Sequence, residues 1–107
     1  MNADEFRAVA LKVPGAVEAA HMNHPDFRVN GKIFASVSYP DEGWGMVKLT
    51  PAQQRAFMKE APETFSLCAG AWGKNGATSV HLASAKKRSL SKALRAASQN
   101  ILNAKKS

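Results

Sequence analysis

Residues 26–37 read DFRVNGKIFASV, and this stretch decides the fold. Its first segment, 26–29, alternates polar and apolar residues, which is typical of a strand with one buried face. Asn30-Gly31 follows, and this pair favours a type I′ turn because both central positions of that turn need a positive φ. The segment 32–37 then returns with a β-branched and aromatic bias. The stretch therefore predicts a two-stranded antiparallel hairpin.

Four further strands are predicted outside this hairpin. A turn at residues 40–43, PDEG, follows the hairpin and leads into the next strand of a meander. A glycine-punctuated loop at residues 69–76 contains a second Asn-Gly pair and separates the last two strands. The four predicted strands cover residues 17–22, 44–49, 65–68 and 78–83.

Two helices are predicted from their caps and their apolar spacing. The first is capped by Asn2 or Asp4 and is stopped at residues 14–15, Pro-Gly, because proline removes a backbone donor. Its apolar residues recur every three or four positions and are Phe6, Val9, Ala10 and Val13. The second helix begins at residues 50–53, TPAQ, where a capping-box pattern coincides with proline at the first helical position. We expect it to end near residues 61–62.

The last helix has the strongest amphipathic pattern in the chain. It is predicted to be capped by Ser89 and to run to Ala104. Its apolar residues are Leu90, Ala93, Leu94, Ala97, Ile101 and Ala104. The polar residues opposite them are Lys92, Arg95, Gln99, Asn103 and Lys106. One side of this helix is therefore expected to pack on the sheet, and the other to form a polar and basic ridge.

The predicted order is α-β-β-β-β-α-β-β-α in a single domain over residues 1–107. Hairpin-length connections favour an α+β fold in which an antiparallel β-sheet has helices packed on one face. The residues predicted for its core are Phe6, Val9, Val13, Phe27, Ile33, Phe34, Leu49, Phe57, Val80, Leu82, Leu94 and Ile101.

The charge of the chain is uneven along its length. Residues 1–63 carry seven Lys/Arg and eight Asp/Glu, a sum of −1, whereas residues 64–107 carry eight Lys/Arg and no acid, a sum of +8. Such an imbalance attracts polyanions over long distances. Nucleic acid is the commonest polyanion inside cells, so it is the partner that this charge favours. The alternative is that the basic half only provides solubility.

Composition also bears on the compartment. No apolar run approaches the roughly 20 residues that span a bilayer, and the acidic start does not resemble a secretory signal. Cys68 is the single cysteine, so no intrachain disulfide can form. We expect a cytoplasmic protein that has no membrane partner, with a monomer favoured.

Two segments contain candidates for contacting nucleic acid. The first surrounds the start of the last helix, and its candidates are Lys86, Lys87, Arg88, Lys92 and Arg95. Such cations neutralise phosphates and release counterions; the alternative is a solvated helix face. In the glycine-punctuated loop, Trp72 is a candidate for stacking on a base, with Lys74 beside it. The alternative for Trp72 is packing against the core.

Catalytic and metal sites are not predicted. His21, His24 and His81 lack the paired spacing of zinc ligands. Cys68 and His81 fall at a plausible cross-strand distance, but no third residue is evident to orient the histidine. We expect a non-enzymatic protein with no cofactor and no metal.

Several stretches resemble the MmcQ/YjbR family of small bacterial proteins. They are HPDFRVNGKIFA at 24–35, KLTP at 48–51, GAWGKNG at 70–76 and the helix around 90–97. The resemblance implies a frataxin/CyaY-like α+β fold, and the family is commonly labelled DNA-binding. Frataxin-type iron handling needs an acidic first helix, whereas here Asp4 and Glu5 are balanced by Arg7 and Lys12.

The expected function is therefore DNA or other nucleic-acid binding with low sequence specificity. The alternative is a protein-interaction or small-ligand-binding module whose basic face only provides solubility.

Overall fold

The helices and strands are those of residues 1–21, 23–38 and 41–104, which the computed structural model describes. They are α1 (Ala3–Leu11), β1 (Val17–His21), β2 (His24–Val29), β3 (Lys32–Val37), β4 (Trp44–Lys48), α2 (Pro51–Glu60), β5 (Phe65–Leu67), α3 (Gly70–Lys74), β6 (Ala77–His81), a 3₁₀ turn (Leu82–Ser84) and α4 (Lys87–Ala104). Three predictions fall outside the described residues: the strand end at Met22, the turn residue Pro40 and the ridge residue Lys106.

The six strands form one antiparallel sheet in the order β1-β2-β3-β4-β6-β5. Helix α4 packs on β2, β3 and β4, α1 packs beside it on β3 and β4, and α2 packs on the edge strand β5. The predicted α+β class with an antiparallel sheet and packed helices is therefore confirmed.

Local turn and cap chemistry accounts for several element boundaries. Asn30 and Gly31 have φ values of 52° and 77°, as the hairpin turn requires. Of the two cap residues predicted for α1, Asn2 is the one used, and it forms a capping box with Glu5. The Thr50 hydroxyl accepts from the Gln53 amide, so the predicted capping box of α2 is confirmed.

A bulge in β3 reconciles its sequence with a buried face. Phe27 pairs with Ala35, but the next pair towards the turn is Arg28 with Ile33, so Phe34 is an extra residue without a partner. Regular alternation would bury only one of two neighbouring residues. With the bulge, Phe34 and Ala35 are both fully buried, as is Phe27.

The core lies between the sheet and the helices α1 and α4. Most of the residues predicted for it are buried, whereas Ile33, Phe57 and Ile101 are only partly so. Phe57 packs on Phe65 at the edge strand, with ring centroids 5.2 Å apart, where the sheet no longer covers it fully. Phe65, like Leu90 in α4, belongs to the core but was not among the predicted residues.

Three predicted elements differ from the structure. Residues Gly70–Lys74 form the short helix α3 instead of a loop, so the order gains one helix. The last strand ends at His81, because Leu82–Ser84 turn into a 3₁₀ helix closed by the Ala85 amide on the Leu82 carbonyl. Helix α4 begins at Lys87. The Leu90 amide already donates to the Lys86 carbonyl, so Ser89 lies within the first turn and is not the cap.

Candidate nucleic-acid interface

Helix α4 directs its basic residues away from the core. Its buried residues are Leu90, Ala93, Leu94, Ala97 and Ser98. Arg88, Lys92 and Arg95 are exposed and are four and three positions apart, a spacing that places them on one side of a helix. We call these three residues the α4 stripe. At 1.5 Å per residue the stripe is about 10 Å long.

Lys86 and Lys87 are exposed as well, but carboxylates approach them in space. The Leu82 amide donates to the Gly43 carbonyl at 3.0 Å, and the Ser84 hydroxyl donates to the Glu63 carbonyl at 2.8 Å. These contacts bring Glu63, and the loop that contains Glu42, next to the turn that leads into α4. Part of the positive charge that the sequence concentrates here is therefore offset by residues from the first half of the chain.

The ion pairs of the described residues all lie outside α4. Arg7 contacts Asp4 at 3.2 Å and Glu18 at 3.0 Å, while Arg28 contacts Asp26 at 2.8 Å. Within residues 1–21, 23–38 and 41–104, no cation of the α4 stripe is paired with a carboxylate. The stripe therefore keeps its charge for an external partner.

Trp72 lies on the surface, in α3. Its relative exposure is 45%, and the Lys48 Nζ lies 6.0 Å from the centroid of its ring. Lys74, two residues further, is exposed. Helix α3 is fixed by Gln54, whose Nε2 donates to the Gly73 carbonyl at 3.0 Å. The tryptophan is thus presented by an anchored segment and does not pack in the core.

Two glycines of this region serve the protein's own packing. A Cβ on Gly73 would collide with the Cys68 carbonyl, and a Cβ on Gly76, whose φ is 111°, would collide with the Leu49 carbonyl. These residues let α3 and the start of β6 approach the neighbouring backbone closely. Their pattern is explained without a ligand.

The two predicted groups of site residues lie at opposite ends of the sheet. Lys74 precedes β6 and Lys86 follows it, and β6 itself spans five residues, or about 16 Å at 3.3 Å per residue. The structure therefore brings the five residues of 86–95 together along one helix, and it separates them from Trp72 and Lys74.

Three lysines that were not predicted join Lys74 at its end of the sheet. Lys48 is the last residue of β4 and pairs with Ala77, the first residue of β6. Lys32 begins β3, which lies next to β4 and runs antiparallel to it, so the two lysines lie near the same sheet end. We call Lys12, Lys32, Lys48 and Lys74 the basic end; all four are exposed.

Lys12 reaches this end from the helix layer. It is the C-cap of α1, and three residues later a Cβ on Gly15 would lie 3.5 Å from the Val29 side chain. Val29 pairs with Lys32 at the hairpin turn. Strand register was the signal that could have identified the cluster, because each of the four lysines terminates or begins a different element.

Cys68 and His81 are held by different partners. The Cys68 Sγ lies 3.3 Å from the Ser79 Oγ, whereas the His81 ring stacks on Trp44 with centroids 4.8 Å apart. Burial raises the pKa of the Cys68 thiol, and the hydrogen bond with Ser79 lowers it by less. A thiol of this kind is a poor nucleophile near neutral pH.

Metal and membrane sites were searched among the described residues. There, no group of three His, Cys, Asp or Glu side chains is arranged to hold a metal ion. No helix in the same residues combines the length and the apolar character that a bilayer crossing needs.

A concavity of about 450 Å³ lies at the end of the sheet away from the basic end. The stacked pair of Trp44 and His81 forms part of its wall, and Glu42 contributes a carboxylate. Its other lining residues are Met1, Asn2, Ala3, Ser38, Gly43, Leu82 and Ala83.

Comparison with known proteins identifies the family. A family model described as YjbR matches residues 11–99. The crystal structure of Deinococcus radiodurans protein DR2400, with the family-model domain DUF419, superposes with a TM-score of 0.74. The match covers 94% of this chain and 78% of that chain at 16% sequence identity, so this likeness shows the fold alone. No curated protein is similar enough to count as a relative. Since the family model spans most of the sequence, the chain belongs to the YjbR family.

Proposed function

We propose that this protein is a non-enzymatic nucleic-acid-binding domain that contacts phosphates through the α4 stripe. The observation that carries the proposal is the row of exposed cations Arg88, Lys92 and Arg95, which pair with no carboxylate of the described residues. No acidic residue follows Glu63 in the sequence, so α4 itself contains none. Cations on one exposed helix side favour a polyanionic partner.

The length of the stripe suits a phosphate backbone. Its roughly 10 Å match the rise of about three phosphates along one strand of duplex DNA, at about 3.4 Å each. Contacts to phosphates carry no base information. The expected binding is therefore strong at low salt, weak at high salt and of low sequence specificity.

The direct test compares double substitutions that remove equal charge. Lys92→Gln with Arg95→Gln removes two cations from the stripe, and Arg55→Gln with Lys59→Gln removes two exposed cations from α2 as the matched control. Fluorescence anisotropy with labelled duplex DNA at several salt concentrations measures affinity. We expect the stripe variant to bind more weakly and its salt slope to fall by about two units, since each lost contact removes about 0.9.

The control variant is expected to change the slope little, because its charges lie on another helix. Lys86→Gln with Lys87→Gln should cost less affinity than the stripe variant, because Glu63 and the loop of Glu42 lie near these lysines. Equal losses in all three variants would show that net charge alone acts. Absence of wild-type binding at low salt would end the nucleic-acid proposal.

The second candidate is a small-ligand-binding module. The concavity beside Trp44 and His81 favours it, because an aromatic wall and the Glu42 carboxylate offer both apolar and polar contacts. A wild-type protein that binds no nucleic acid at low salt would leave this candidate as the better supported one.

A further inference from the structure

We infer that the basic end and Trp72 form a second contact surface, which takes a single-stranded nucleic-acid segment. One base stacks on the Trp72 ring, and lysines of the basic end contact the flanking phosphates. The inference rests on the proposed function for the class of ligand. It assigns the contact to the end of the sheet opposite the start of α4 and the strand form to single-stranded.

The charge of the basic end is concentrated by the fold and is not visible along the chain. Its four lysines lie in the segments 11–13, 29–32, 47–53 and 70–77, and none of these segments contains Asp or Glu. By contrast, Glu42 and Glu63 lie towards the start of α4. A phosphate at the basic end therefore meets cations from several directions and little repulsion.

Trp72 provides the feature that distinguishes a single strand from a duplex. Its ring is 45% exposed, and the Lys48 Nζ is 6.0 Å from the ring centroid. A phosphate bound to Lys48 would therefore hold the adjoining base close to the indole. Stacking requires a base whose face is free, and the bases of a duplex are already stacked on each other.

The surface is also held in place before any ligand arrives. Besides the Gly73 carbonyl, the Gln54 Nε2 reaches the Ala77 carbonyl at 3.0 Å, which fixes α3 relative to β6. The Leu49 amide donates to the Gly76 carbonyl at 3.1 Å, which fixes Lys48 beside them. Preorganised contact groups lose little conformational entropy on binding.

The test uses Trp72 as its own reporter. The chain has two tryptophans, so Trp44→Phe leaves Trp72 as the only one. Titration with an oligothymidylate at low salt is expected to quench its emission saturably, and the matching duplex is expected to quench it much less. Trp72→Ala should weaken oligothymidylate binding by roughly 5- to 150-fold, the range measured for base–aromatic stacking.

Charge is tested separately from stacking. Lys48→Gln with Lys74→Gln should lower the single-strand salt slope by about 1.4 units, at about 0.7 for each contact. The control, Arg55→Gln with Lys59→Gln, removes the same charge elsewhere. Trp72→Phe keeps a ring at this position and should retain more affinity than Trp72→Ala, and thermal melting confirms that the variants fold.

Three results would overturn the inference. Single strands that bind without changing Trp72 emission, and bind the Lys48/Lys74 variant equally well, would place the contact elsewhere and leave the α4 stripe to be judged by its own test. Equal quenching by duplex would remove the strand preference. Equal quenching by polyglutamate would identify an acidic protein as the partner. Failure of the proposed function is seen earlier, as wild-type protein that binds neither strand form at low salt.

Discussion

The single thiol of the chain illustrates how a residue's surroundings set its chemistry. Cys68 follows β5, and its amide donates to the Ala77 carbonyl. Its Sγ shares a hydrogen bond with Ser79 at 3.3 Å. Burial disfavours the thiolate and raises the pKa, while the hydrogen bond opposes this with a smaller effect. The protonated thiol is therefore the dominant form over a wider pH range than in a free cysteine.

Removal of the Ser79 hydroxyl gives a prediction with a definite sign. In Ser79→Ala the effect that lowers the pKa is lost, so the pKa of Cys68 should rise further and the pH midpoint of its alkylation by iodoacetamide should move upward. Ser66→Ala is the control, since Ser66 pairs with Ser79 across the strands. A midpoint that stays fixed or moves to lower pH in Ser79→Ala would contradict this account of the thiol.

At the scale of elements, side-chain hydrogen bonds fix α2 against the rest of the fold. Gln54 is buried, and its Nε2 approaches the carbonyls of Gly73 and Ala77 and the hydroxyl of Thr78. Gln53 exchanges two hydrogen bonds with Asn100 of α4, at 3.2 and 2.8 Å. These contacts join α2, α3, β6 and α4, and they hold Trp72 where it is.

Gln54→Leu tests this arrangement. The substitution keeps an apolar stem but leaves buried acceptors unsatisfied, so we expect the free energy of unfolding to fall by about 1–3 kcal/mol. Gln99→Leu makes the same change on the exposed side of α4 and should stay within about 0.5 kcal/mol of wild type. Urea denaturation measures both values, and equal losses in the two variants would refute the proposed role of Gln54.

Elements governed by local chemistry were predictable, and those governed by distant contacts were not. The hairpin turn at Asn30-Gly31 and the cap at Thr50 depend on neighbouring residues alone. Helix α3 depends on Gln54, 19 residues away from Gly73, and on close backbone approach, so its sequence looked like a glycine-rich loop. The start of α4 at Lys87 was missed because Ser89 is the usual kind of cap residue.

Across the whole molecule, charge along the chain and charge in space differ. Half of the candidate surface was predictable, because the cations of residues 86–95 are consecutive in one helical pattern. Lys12, Lys32 and Lys48 were missed because they lie in the half of the chain that sums to −1. Strand register collects them at one end of the sheet, and this cannot be seen before the pairing is known.

Charge on two surfaces leads to the measurement that most directly tests nucleic-acid binding. Wild-type affinity for duplex DNA is measured by anisotropy over a range of salt concentrations, and log K is plotted against log salt. Three to five phosphate contacts, from the α4 stripe alone to the stripe with Lys86 and Lys87, predict a slope between about −2.7 and −4.5. No binding at the lowest salt, or a slope near zero, would contradict the account.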